Sequence, residues 1–387
     1  MAVALGWVGW LAIGVTFARL PSGGPPVVAA FGASDPRATL ERLTQQITTA
    51  RTAPPASVYA PIAAAAAALP LDERPFLLNA IRALAEGRDA EAVRLLEETR
   101  HRNPRQRFAR LLLLDRYLRA NRTAEAVREM TVLSRLMPAA NGVLATAVAK
   151  FAIDPATARQ TRRAMNDDPV LLNQVLATMA TSQASPATLQ RFAGANPPAG
   201  LGASGWRTAL IAAMIARQDF GSARAFWAQT YRIPPAAAAL EPYDAALAGA
   251  PGAGPFNWVL NANEVGAAEI REGAMQVEYY GRRPGPLATQ LMTLAPGRYR
   301  FRYAVSGNGG DDDGGLNWAI ACERAPDKPI MSSAARPLLP NARIVAADFE
   351  VPATGCAAQR LSLDGVMGEY AGSISARVTQ LRLVRRS

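Results

Sequence analysis

Cys322 and Cys356 are the two cysteines of the chain, and His101 is its one histidine. Two thiols with no third competitor suit a disulfide in an oxidising compartment. Two buried free thiols are the alternative. So few Cys and His residues exclude a Cys/His zinc cluster and a multi-disulfide scaffold. They also restrict acid–base catalysis, because His101 alone titrates near neutrality unperturbed. It sits in the run Arg100-His101-Arg102, at the end of a predicted helix. No nucleophile elbow, phosphate loop, dinucleotide fingerprint or metal motif occurs. A glycosidase needs two carboxylates facing one cleft. Glu264, Glu269, Glu272 and Glu278 are available, but their spacing singles out no pair, and they read as surface charges on strands. The expectation is a protein without catalytic residues or a resident cofactor.

Three features bear on binding instead. The Gly-rich loop 307–315 holds Asp311, Asp312 and Asp313, oxygen ligands of the kind calcium takes. A solvated hairpin loop is the alternative. The second feature is charge. The chain carries 42 basic and 31 acidic residues, a net +11. Arginine supplies nearly all of it, since lysine occurs only at Lys150 and Lys328. Arg100, Arg102, Arg105, Arg107 and Arg110 head a cluster that runs on to Arg135, opposed only by Asp115, Glu125 and Glu129. Such a face attracts an anionic partner: an acidic peptide, phospholipid headgroups or an acidic polysaccharide. A solvated arginine-rich surface is the alternative, and no nucleic-acid motif accompanies the charge. The third feature is aromatic. Tyr299, Phe301 and Tyr303 alternate with Arg298, Arg300 and Arg302, so the rings share one strand face and the guanidinium groups the other. The ring face is expected in a core, as are Trp318 and Cys322. Trp258, Tyr280 and Tyr370 are the candidates for stacking on a sugar ring.

The elements that must position these residues fall into two periodic regimes. At 387 residues the chain has room for two or three domains. Residues 35–244 are Ala-, Leu- and Arg-rich, with apolar residues recurring at three and four, which predicts helices. Pro, Asn and Gly separate them at Pro75–Glu86, Asp89–Arg102, Arg105–Ala120 and Thr123–Leu136. Residues 54–70, with six consecutive alanines from Ala63 to Ala68, are expected to form a further packed helix. Gly87-Arg88-Asp89-Ala90-Glu91-Ala92-Val93-Arg94 returns as Asn121-Arg122-Thr123-Ala124-Glu125-Ala126-Val127-Arg128, an offset of 34 residues that Asn103-Pro104 and Met137-Pro138 repeat. Small Ala92 and Ala126 allow close helix approach, Phe76 and Tyr117 fill the preceding helices, and Pro104 and Pro138 stop the second ones. With that period, residues 73–138 resemble the tetratricopeptide repeat family. Asp219–Pro234 looks like the second helix of a later, degenerate unit. The resemblance implies a scaffold that docks peptides or partner proteins on a concave face.

Residues 245–255 are Ala/Gly/Pro-rich and read as a linker. From 256 to 387 the period becomes two. Strands are expected at Trp258–Asn261, Ala274–Tyr280, Ala288–Leu294, Arg298–Tyr303, Leu316–Glu323, Ile344–Val351, Gln359–Leu363 and Ser373–Val384. Short strands at this spacing predict an antiparallel β-sandwich. Its layout resembles the jelly-roll sandwiches of carbohydrate-binding modules and galactose-binding-like domains, which implies a glycan-binding or protein-binding module.

Residues 1–18 carry no charged side chain before Arg19, about enough to span a bilayer. Residues 1–20 are therefore read as a membrane anchor, or a signal, with 21–34 as linker. Arg19, Arg37 and Arg42 after the span favour a cytoplasmic body, whereas the cysteine pair favours export. The expectation is a single-pass bacterial inner-membrane protein with its body in the periplasm. Its repeats would dock a partner protein and its sandwich would hold a glycan or protein, in surface polysaccharide assembly or export. A polysaccharide-modifying enzyme and a purely structural subunit are the alternatives.

Overall fold

The computed structural model describes residues 36–49, 55–166, 168–182, 184–309, 314–335, 338–368 and 372–386. The expected anchor 1–20 and linker 21–34 lie outside them. No helix among the described residues is long and apolar enough to cross a membrane. The chain divides into two compact units between Trp206 and Arg207.

The first unit is helical: α1 Pro36–Thr49, α2 Pro61–Ala68, α3 Arg74–Ala85, α4 Asp89–Arg102, α5 Arg107–Arg119, α6 Thr123–Leu136, α7 Asn141–Ile153, α8 Ala158–Ala164, α9 Pro169–Thr181 and α10 Pro186–Ala193. The sequence repeat is a structural one. Helices α4 and α6 are both 14 residues long and start 34 residues apart. Each follows the same helix stop. The N–H of Arg88 bonds Ala83 O at 2.8 Å and that of Arg122 bonds Tyr117 O at 2.8 Å. Gly87 and Asn121, at φ +73° and +56°, supply the left-handed residue this stop requires. Ala92 and Ala126 are fully buried, as close helix pairing requires. Tyr117 is buried beside Leu77, Ala80, Leu96, Ala109 and Leu113, and its hydroxyl donates to Glu97 at 2.7 Å. The alanine run lies in α2, where Ile62 and Ala65 pack against Leu40, Leu43, Ile47 and Leu78.

Helix α11 Trp206–Ala216 starts at the last residue of the first unit, and the second unit continues with α12 Phe220–Tyr231 and α13 Pro235–Ala238. Here the helix stop recurs a third time: Asp219 N bonds Met214 O at 2.9 Å, with Gln218 left-handed at φ +64°. The second helix expected at Asp219–Pro234 is present as α12, and it follows the same helix stop. Residues 245–255, linker-like in composition, are pinned in place. The Asp244 carboxylate accepts from the N–H groups of Ala248, Gly249 and Ala250 at 2.9, 3.0 and 3.1 Å. Trp227 donates to Ala253 O at 2.8 Å and Tyr243 to Pro251 O at 2.8 Å. Backbone satisfaction, which composition does not reveal, holds the segment and ties α12 to the sandwich. Arg224 adds to this by pairing with Glu241, which accepts from Thr293 N at 2.7 Å.

Ten strands follow: β1 Val259–Leu260, β2 Gly266–Arg271, β3 Ala274–Tyr279, β4 Gly285–Met292, β5 Gly297–Asn308, β6 Gly315–Cys322, β7 Pro329–Ala335, β8 Arg343–Val351, β9 Gln359–Val366 and β10 Ile374–Arg385. They form two antiparallel five-stranded sheets, β1-β4-β9-β6-β7 and β2-β3-β10-β5-β8. The expected sandwich is therefore present. Strands β2 and β7 lacked a signal in the sequence. Both are edge strands, β2 made of small and charged residues and β7 opening on Pro329, which an edge tolerates. Between the sheets lie Tyr279, Phe301, Tyr303, Trp318, Leu361 and Leu363, all essentially fully buried.

Candidate functional site: the faces of the sandwich and the arginine cluster

Cys322 ends β6 and is disulfide-bonded to Cys356, with their Cα atoms 5.0 Å apart. Both are buried at the core margin. Beside them Gln359, fully buried at the start of β9, donates to Cys356 O at 2.7 Å and accepts from Leu294 N at 2.8 Å. The bond therefore closes the chain between β8 and β9 onto the end of β6.

The arginine cluster does not act as one surface. Glu129, only 2% exposed, accepts from Arg100 and, at 2.6 Å, from Arg110. Arg110 is itself buried and also donates to Pro104 O at 2.7 Å. Arg102 pairs with Glu98 at 2.7 Å and lies over the Phe76 ring at 4.2 Å. Positions three and four apart on a helix share a face, so a run dense in arginine across α4 and α5 must turn some of it into the helix interface, and Glu129 on α6 is the counter-charge. Arg105 and Arg107 remain solvent-exposed, and so does His101 at the end of α4. Arg105→Gln and Arg107→Gln should each change stability by less than about 0.5 kcal/mol, whereas Arg110→Gln should cost several times that. Thermal denaturation of the three variants checks this, and equal effects would show that Arg110 is not a structural group.

Of the stacking candidates, Trp258 belongs to the core. It is 8% exposed, meets Trp318 edge-on at 6.0 Å and donates to Asp244 O at 3.3 Å. Its ring is spent on packing, which corrects its reading as a sugar platform. Tyr280 is 45% exposed, just beyond β3. Tyr370 and the calcium candidates Asp311, Asp312 and Asp313 lie outside the described residues. Tyr299, Phe301, Tyr303, Trp318 and Cys322 all point inward, as the alternation predicts. Glu264, Glu269, Glu272 and Glu278 are exposed; Glu264 pairs with Arg283 and Glu269 with Arg271.

The outer face of β1-β4-β9-β6-β7 assembles residues that the sequence did not single out. Thr289, Ser362, Ala319 and Ser332 align across β4, β9, β6 and β7. One row along, Asp364 on β9 lies opposite Asn317 on β6. Ser362 donates to Asp364 at 2.7 Å, and Ser332 to the Asn317 side-chain oxygen at 3.0 Å. The Asn317 amide N–H groups are then donors, beside a carboxylate acceptor and the Thr289 hydroxyl. Partial burial pushes the Asp364 carboxyl up, against the hydrogen bond from Ser362. Stability linked to that shift is greatest below the ordinary carboxylate range and is lost as pH rises through the raised value. The available signal was the alternation of Leu316–Glu323: with Trp318 inward, Asn317 must face outward. All these side chains are short, so none rises far above the sheet.

No protein-family model matches the chain, and no curated protein matches it. Among solved structures it is similar to several carbohydrate-binding β-sandwiches. One is a CBM4 module, at 11% identity, covering 32% of this chain and 81% of that one, TM-score 0.25. Another is the N-terminal cellulose-binding domain of Cellulomonas fimi β-1,4-glucanase C, at 19% identity, covering 35% and 91%, TM-score 0.25. A third is TmCBM61, solved with β-1,4-galactotriose, at 9% identity, covering 33% and 88%, TM-score 0.24. Likenesses at these identities and scores assign neither a fold nor a ligand to this chain.

Proposed function

We propose that this is a non-catalytic binding protein of the bacterial envelope whose sandwich holds a glycan. The observation that carries the reading is a pair of adjacent rows on one sheet face, Asn317 with Asp364 and Ser362 with Thr289. An amide, a carboxylate and hydroxyls presented together satisfy sugar hydroxyls in both directions, as donor and acceptor. The helical unit, with its 34-residue helix pairs, docks a partner protein. Residues 1–20 hold the protein to the inner membrane, and the body lies in the periplasm, where the Cys322–Cys356 bond would persist. Surface polysaccharide assembly or export is the process such a pairing suits.

The test is a glycan array probed with the full chain, with reducing-end release measured in parallel. A fragment starting at residue 251 would sever the Trp227–Ala253 and Arg224–Glu241 contacts that brace the sandwich. Retention without product is expected, and Asn317→Ala with Asp364→Ala should weaken it at least tenfold while a single cooperative melting transition of the sandwich is retained. Product release would instead identify an enzyme. Retention that ignores both substitutions would remove this face as the site.

A further inference from the structure

The other sheet carries a second unassigned surface, on the outer side of β10, β5 and β8. In register, Arg382 lies opposite Arg302, and Arg302 opposite Ala346. One row along, Val384 lies opposite Arg300, and Arg300 opposite Asp348. Arg386 follows, its N–H bonded to Arg298 O at 2.9 Å. Arg300, Arg302, Arg382, Val384 and Arg386 line an open depression of about 230 Å³. Four guanidinium groups thus surround it, and Asp348 is shared between two of them: Arg300 binds it through two bonds of 2.7 and 2.6 Å, and Arg386 approaches to 3.3 Å. Arg302 and Arg382 have no carboxylate partner among the described residues. Like charges directly opposite on neighbouring strands are destabilising. A bound anion bridging the two would remove that repulsion.

We propose that this face binds a carboxylated polysaccharide. The inference rests on the glycan reading for the class of polymer, but uses a different sheet. Guanidinium groups match carboxylates with paired hydrogen bonds. Their rows recur about every 6.8 Å along the strands, two residues at ~3.4 Å each, so they suit an anion that itself repeats. Val384 at 48% and Ile344 at 60% exposure supply aliphatic contacts for the C–H faces of sugar rings. Single-stranded nucleic acid is disfavoured, because it is held by aromatic stacking, and β5, β8 and β10 turn Tyr299, Phe301, Tyr303 and Phe349 into the core.

The experiment is affinity electrophoresis of the full chain in gels containing polygalacturonate, its fully methyl-esterified form, or single-stranded DNA. Polygalacturonate should retard the protein, and esterification, which removes the charge and keeps the chain, should weaken retardation at least tenfold. Arg302→Glu with Arg382→Glu should abolish it at an unchanged melting temperature. Arg302→Lys with Arg382→Lys should retain part of it, since the charge survives and the paired geometry does not. Equal retardation of the Glu variant, or DNA retarded as strongly as polygalacturonate, would overturn the proposal. If array glycans bind through Asn317 and Asp364 but polygalacturonate does not bind, this inference fails alone. If no glycan of either kind is held, the glycan reading fails with it.

Discussion

Glu129→Ala is expected to destabilise the helical unit by about 3–5 kcal/mol, the cost of leaving one partner of a buried ion pair behind. Glu129 is 2% exposed and takes hydrogen bonds from both Arg110 and Arg100. Arg110 is 7% exposed, on the helix before, so once the carboxylate is gone its charge keeps the Pro104 carbonyl and little contact with water. At ~2–4 °C per kcal/mol for a unit of this size, the melting transition should fall by roughly 6–20 °C. Glu129→Gln should fall in between, because the amide oxygen still accepts a hydrogen bond but the charge is lost. The double change Arg110→Met with Glu129→Leu should recover most of the loss, since apolar replacement of a buried pair is often neutral or better. Calorimetry on the full chain measures the shift. A Glu129→Ala transition within about 1 kcal/mol of wild type would mean that the pair is solvated.

The same residues show how far the sequence can be read. The 34-residue offset was legible because helix stops are local: Gly87 and Asn121 mark them in the one-letter code, and their hydrogen bonds repeat. The inward faces of β5 and β6 were legible from strict alternation. Which arginines of the cluster would be buried was not, because it depends on Glu129 arriving from a helix 19 residues past Arg110. The polar face of Asn317 and Asp364 needs the pairing of β6 with β9, a long-range register that no local pattern encodes. The arginine face has a further obstacle. Gln380, at φ +52°, sits in an irregularity of β10 between Thr379 and Arg382, which shifts the strand's phase. Alternation counted from Ile374, which faces the core, would put Arg382 inside.

Replacing Cys322 and Cys356 together with alanine is expected to cost about 3–4 kcal/mol, the chain-entropy value for a closed loop of this length. The bond spans 34 residues, from the end of β6 past the whole of β7 and β8 to the lead-in of β9. β7 and β8 lie in different sheets, so in the reduced unfolded chain that loop is free to separate the two halves of the sandwich. The bond removes that freedom before folding begins. A fall in the melting temperature of the second unit by roughly 6–16 °C should follow. Both side chains are buried, so a part of the loss would come from packing alone. Adding reductant separates the two contributions. Reduction should lower the wild-type transition most of the way to that of the double variant, and leave the variant where it is. Labelling of thiols in the denatured, unreduced protein, taken from its native compartment, should find none. Two labelled thiols, together with a wild-type transition that ignores reductant, would show that the bond does not form in the cell. That result would also remove the reason for placing the body in an oxidising compartment, and return the weight to Arg19, Arg37 and Arg42 after the N-terminal apolar segment.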